Sequence, residues 1–179
     1  MARDRRDIHR QFKAVDTAYR EGNLDGLKVA LCHPAEFPNC LQPHDLGVGD
    51  YPLEYAIYWS PLRFIEQLLK IGADPNYPDQ AGFPSLIAAL STDRSDKLEI
   101  LTLLLSHGAS VHQRGHNDWT PLHYAVVLHD LEAVRILLAH GADASARTRI
   151  DDCSTPAEDA AAAGFVEAVA LLRTRDERT

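Results

Sequence analysis

Cysteine is nearly missing from this chain: 179 residues hold only Cys32, Cys40 and Cys153. Their odd number and the lack of any Cys-x-x-Cys pair argue against a disulfide framework and point to a reducing, cytoplasmic setting. Lysine is scarce as well, with 4 lysines against 14 arginines, a bias of genome composition more than of function. A formal net charge of −8 argues against nucleic acid and anionic membrane as partners, since both need a basic surface, and leaves room only for a local basic patch. No apolar run approaches the roughly 18 residues needed to cross a bilayer. The N-terminus, Met1-Ala-Arg-Asp-Arg-Arg-Asp7, is charged and leads into an amphipathic stretch, so it does not read as a signal peptide. Gly-x-Ser-x-Gly, His-Glu-x-x-His and Walker motifs are absent. Gly47-Val48-Gly49 has Pro52 at the third glycine position and no readable strand before it, so it reads as a turn and not a phosphate loop.

What the chain does contain is an apolar fraction of 45%, enough for a packed core, arranged with a period. Gly72-Ala73-Asp74, Gly108-Ala109-Ser110 and Gly141-Ala142-Asp143 follow one another at 36 and 33 residues. Helix-opening segments recur in phase with them: Tyr51-Pro-Leu-Glu-Tyr-Ala56, Pro84-Ser-Leu-Ile-Ala-Ala89, Thr120-Pro-Leu-His-Tyr-Ala125 and Thr155-Pro-Ala-Glu-Asp-Ala160, spaced by 33, 36 and 35. A capping Thr, a Pro at the first helical position and a closing Gly are the expected punctuation of a short helix pair. Ala56, Ala89, Ala125 and Ala160 are small enough for neighbouring helices to approach closely.

This pattern resembles the ankyrin repeat, whose period is about 33 residues and whose hallmark is Thr-Pro-Leu-His-x-Ala. The match is closest over 118–145 and extends over nearly the whole chain. The resemblance implies an all-α helix-turn-helix solenoid of about five helix pairs. They are an N-terminal capping pair with a long loop (3–48), repeats at 49–81, 82–117 and 118–152, and a C-terminal capping pair with its tail (153–179). In the first pair, Ile8, Phe12, Val15 and Tyr19 share a helical face, and a second helix ends near Cys32, itself expected at an apolar helix position. Later helices are expected at 53–59, 62–70, 85–90, 97–106, 156–163 and 166–173, with extra residues at 91–96 and 145–154 and an irregular, ordered loop at 33–49. An initiator methionine and caps at both ends suggest an array not cut from a longer chain.

His123 is then the motif histidine, expected to hydrogen-bond the turn and hold register, while His107 and His140 sit at helix C-termini, where the dipole favours a cation. Glu54 and Glu158 replace the motif histidine, so register at those repeats should be held differently. Asp151-Asp152 and Glu158-Asp159 read as solvated charge, and Cys32, His33, Cys40 and His44 fit no common zinc spacing. No catalytic residue, metal ligand or cofactor site is assigned.

Carried over by position, the finger residues just before the motif are Asp50, Phe83, Trp119 and Ser154, and the first helices end at Tyr58-Trp59 and Val127-Leu128. Large apolar residues gathered on one exposed surface mark an interface. Phe83, Trp119, Tyr58, Trp59, Val127 and Leu128 are therefore the candidate partner-binding residues, with Arg114, His116, Asn117, Arg147 and Arg149 as a polar, basic rim suited to an acidic partner. The alternative is that Tyr58 and Trp59 cover the 33–49 loop and Trp119 packs on its own finger. The expected function is non-catalytic binding of a protein partner by a monomeric chain, as inhibitor, immunity or anti-toxin protein, or assembly adaptor. The competing class is an enzyme or a small-ligand or metal binder using the histidine-rich fingers and the 33–49 loop.

Overall fold

Three helices end in one geometry, and the Gly-Ala pairs set it. Gly141 has φ of +87°, its N–H donates to the Leu138 carbonyl at 3.2 Å, and the Ala142 N–H donates to the Leu137 carbonyl at 3.0 Å. Those two bonds satisfy the last free carbonyls of the helix and turn the chain out of it. Gly108 with Ala109 and Gly72 with Ala73 repeat the same pair of bonds. In the next residues, Asp74 and Asp143 accept the N–H two positions on, from Asn76 at 2.8 Å and Ser145 at 2.9 Å, and Ser110 accepts from His112 at 3.2 Å. At the other end, Thr120 and Thr155 cap their helices through the side chain with Pro next in line, whereas Tyr51 and Pro84 occupy the cap position without a side-chain bond.

The computed structural model describes residues 4–43, 50–77, 83–115, 118–150 and 153–176. Among them are helices and no strand: α1 (Arg5–Glu21), α2 (Leu24–Ala30), α3 (Pro52–Trp59), α4 (Leu62–Lys70), α5 (Ser85–Ser91), α6 (Lys97–Ser106), α7 (Pro121–Val127), α8 (Leu131–Ala139), α9 (Pro156–Ala162) and α10 (Val166–Asp176). The fold is an all-α helical repeat solenoid. Helices of seven to ten residues are marginal alone in water, so each depends on the neighbour that covers its apolar stripe. The chain divides into two units, Met1–Tyr77 and Pro78–Thr179.

In the first unit α1 packs on α2 and α3, and α3 on α4. Val15, Ala18 and Tyr19 are buried while Ile8 and Phe12 are half-buried. The Tyr19 ring lies 4.6 Å from that of Tyr55 and 6.0 Å from that of Phe64, and its hydroxyl donates to Gln42 Oε1 at 2.8 Å. That bond ties the long loop to α1. Asn39 adds to it by donating to the Gly72 carbonyl and accepting from the Asp74 N–H, both at 2.8 Å. Cys32 departs from expectation: α2 stops at Ala30, and Cys32 is exposed at φ +62°, leaving Cys40 as the buried thiol.

In the second unit the first helices α5, α7 and α9 pack side by side, as do the second helices α6, α8 and α10, giving two layers. Ala89, Ala125 and Ala160 are fully buried where the inner helices meet their neighbours. In the outer layer, Asp130 caps α8 by accepting the Ala133 N–H at 3.1 Å and pairs with Lys97 at 2.7 Å, linking consecutive repeats. The inserted residues between α5 and α6 turn on Arg94, whose guanidinium holds Asp96 at 2.8 and 2.7 Å. This occupies the Asp96 carboxylate, which makes no cap bond to α6.

Candidate functional site

His123 is fully buried at the first turn of α7. Its Nδ1 lies 2.8 Å from Thr120 Oγ1 and accepts the Thr120 N–H at 3.3 Å. Nε2 therefore carries the proton and donates to the Ser154 carbonyl of the next finger at 3.2 Å. Burial lowers the His123 pKa, so the ring is neutral at pH 7. Glu158 does the capping part of this work one repeat later, accepting the Thr155 N–H at 2.8 Å, and Glu54 accepts the Asp50 N–H at 3.0 Å. A carboxylate thus replaces the imidazole as cap acceptor but cannot supply the N–H that His123 donates to the next finger.

The finger before α7 is organised by Asp118, a buried aspartate at φ +62°. Its carboxylate accepts the Arg149 backbone N–H at 2.6 Å and Nε at 2.9 Å, takes a further bond from the Arg149 terminal nitrogen, and pairs with Arg114 at 2.9 Å. The Arg149 hydrogen bonds hold its pKa down at about 2. Arg114 also donates to the Arg147 carbonyl at 3.0 Å, and Arg147 grips Glu158 with two bonds of 3.0 Å. Arg114, Arg147 and Arg149, expected as a basic rim, are each paired with a carboxylate of their own chain, Arg114 and Arg149 with Asp118 and Arg147 with Glu158, while Arg147 and Arg149 stay exposed. His116 and Asn117 lie outside the described residues.

Next to this network sit the aromatic residues of the second unit. Phe83 and Trp119 both turn towards Tyr124 of α7, with ring centroids 6.1 and 6.0 Å away. Phe83 is 37% exposed, Trp119 and Tyr124 are half-buried, and Val127 and Leu128 are 43% and 44% exposed. Trp119 and Val127 of one repeat line an open groove of about 440 Å³ together with Thr148, Ser154, Asp159, Ala162 and Ala163. Tyr58 and Trp59 belong to the first unit. There Trp59 is 50% exposed, with the Arg20 guanidinium 4.7 Å above its ring and Tyr55 6.5 Å away, so it packs on α1 and its own helix. Tyr58 is half-buried.

A model of ankyrin repeats, in three copies, matches residues 53–148 and 86–178. The chain belongs to the ankyrin repeat family. Over 156 residues, 87% of its length, it is 36% identical to the ankyrin repeat and KH domain-containing protein mask-1 of Caenorhabditis elegans. Over 104 residues, 58% of its length, it is 36% identical to human neurogenic locus notch homolog protein 4. Over 81 residues, 45% of its length, it is 40% identical to human BCL-6 corepressor-like protein 1. It spans only 6%, 5% and 4% of those proteins in turn. Ankyrin repeats generally mediate protein–protein interaction, and the family is typically non-catalytic. No helix is long and apolar enough to cross a membrane, and no group of three His, Cys, Asp or Glu is placed to hold a metal, both among the described residues.

Tyr124, on which the aromatics gather, was not singled out from the sequence, and Asp159 of the groove read there only as solvated charge, although the signal for both was present. They occupy the one free position of the Thr-Pro-Leu-His-x-Ala motif in consecutive repeats, the position from which Tyr124 meets Phe83 and Trp119 and Asp159 enters the groove lining.

Proposed function

We propose that this ankyrin array is a non-catalytic protein-binding module that recognises its partner through the inner surface of residues 83–163, with Phe83, Trp119 and Tyr124 at its centre and Val127 and Leu128 beside them. The observation that carries the reading is the clustering of Phe83 and Trp119 on Tyr124, at 6.1 and 6.0 Å, next to an open groove. Rigid, partly exposed aromatics supply large contact area at low entropic cost and dominate interface energetics elsewhere. Inhibitor, immunity protein and assembly adaptor all fit such a module, acting by masking or holding the partner in the cytoplasm. Trp59, clasped by Arg20, serves the first unit's packing more directly than it serves a partner.

The test is quantitative capture of the partner from native lysate by the wild-type chain and by the double variant Phe83→Ala, Trp119→Ala, with the melting temperature of both recorded. The reading expects a folded variant with at least a 10-fold loss of capture, the effect of removing about 1.4 kcal/mol or more from an interface. Full retention by a folded variant places the site elsewhere.

A further inference from the structure

We propose that the groove beside Trp119 takes a basic side chain, so that the partner docks by inserting an arginine or lysine between Trp119 and Asp159. This rests on the protein-binding reading and adds the chemistry of what is bound.

Three features of the groove point to a cation. Asp159 is the one charged residue among the described residues that line it, and no hydrogen bond or ion pair holds its carboxylate within the described residues. Trp119 lines the same groove, and an aromatic face attracts a guanidinium or ammonium group through its quadrupole. Val127 and Ala162 supply apolar wall for the aliphatic stem that an Arg or Lys side chain carries behind its charge.

The arginines that could answer Asp159 from within are already committed. Arg114 and Arg149 are held by Asp118, and Arg147 by Glu158. His123, the titratable neighbour whose charge Asp159 would favour, is buried and pointed at Ser154. The groove therefore presents an uncompensated negative charge beside an aromatic wall, in about 440 Å³. That volume lies in the range of about 300–1,000 Å³ over which pockets take single ligands, so it suits one long side chain and not a folded element. A chain of net charge −8 also draws positively charged partners from a distance. An acidic partner, which the arginines alone would suggest, meets Asp159 where it would need a cation.

Selection of random phage-displayed dodecapeptides against the full chain, followed by titration of the enriched peptides as synthetic material, tests the proposal. The expected peptides carry an Arg or Lys whose replacement by citrulline or norleucine weakens binding about 10-fold, the scale of one partly desolvated charge pair. Asp159→Asn should cost a similar factor and Trp119→Ala a larger one, with the melting temperature of Asp159→Asn unchanged. Peptides that need Trp119 but are indifferent both to Asp159→Asn and to loss of their own charge overturn the cation site and leave the protein-binding groove standing. Peptides indifferent to both substitutions, or a selection that enriches nothing, overturn the groove as a recognition site as well.

Discussion

Asp118 and Arg149 stand on consecutive fingers, and the carboxylate of the first accepts both the backbone N–H and the guanidinium of the second, at 2.6 and 2.9 Å. The pair does for the tips of the fingers what His123 and Ser154 do for the helix starts, fixing one repeat on the next. Aspartate is also one of the few residues that tolerates φ of +62° without much strain. Asp118→Asn keeps that tolerance and removes only the charge. It should lower the urea midpoint, though by less than the loss of a buried charged hydrogen bond, because Arg149 is exposed and its charge is screened. The pH dependence follows in sign. The folded pKa of about 2 lies below the ordinary 3.8, so the contribution is present above pH 4 and lost as pH falls towards 2. The difference in urea midpoint between wild type and Asp118→Asn should shrink over that interval.

His123→Ala should destabilise by about 3 kcal/mol, since it opens a cavity and strips partners from buried polar groups at Thr120 and Ser154. His123→Gln, which can both accept at the cap and donate across, should recover much of that loss. Because burial lowers the folded pKa, the neutral ring contributes fully above about pH 6.5 and less as pH falls below it. Thermal melts between pH 7.5 and 5 should show a decline for wild type that is shallower for His123→Gln.

His129 occupies the left-handed position between α7 and α8, at φ +55°, where Gly22 and Gly164 stand between the corresponding helices of other pairs. It compensates by stacking on Phe165, ring centroids 4.9 Å apart, and by bonding the Ala163 carbonyl at 3.3 Å. His129→Gly exchanges those contacts for relief of the backbone and should stay within about 0.5 kcal/mol of wild type, whereas His129→Ala keeps the strain, loses the contacts and should cost about 2 kcal/mol. Denaturant midpoints of the two variants separate the terms.

Gly141→Ala isolates the backbone term by itself. A Cβ there would meet nothing within 4 Å, yet φ is +87°. The expected loss is about 1–2 kcal/mol with no change in the denaturant slope, measured by urea titration.

The helix pairs were legible because their punctuation is local. Gly72 and Gly108 with the alanines after them end α4 at Lys70 and α6 at Ser106, the ends expected from the sequence. His123 likewise bonds its own cap and the next finger, as its place implies, and His107 and His140 set Nδ1 3.0 and 2.8 Å from the carbonyls of Leu103 and Ile136. Charges were harder to read. Arg149 looks free in its own finger, and its partner Asp118 is 31 residues away, brought opposite only by stacking. Asp159 looks like one more solvated carboxylate until the same stacking sets it in one groove with Trp119. Pairing along the chain follows the repeat, but pairing between repeats depends on side-chain register that the period alone does not carry.

The binding surface is the central claim, and site-specific photo-crosslinking measures it most directly. A benzophenone amino acid placed at Leu128, 44% exposed beside the groove, is compared with one at Arg135, exposed on α8 of the outer layer. Irradiated in the native host, the chain labelled at 128 should form a discrete adduct that disappears when Phe83 and Trp119 are both changed to alanine, while the chain labelled at 135 forms none. An adduct from 135 and not from 128, or one from 128 that survives the double substitution, would contradict the account.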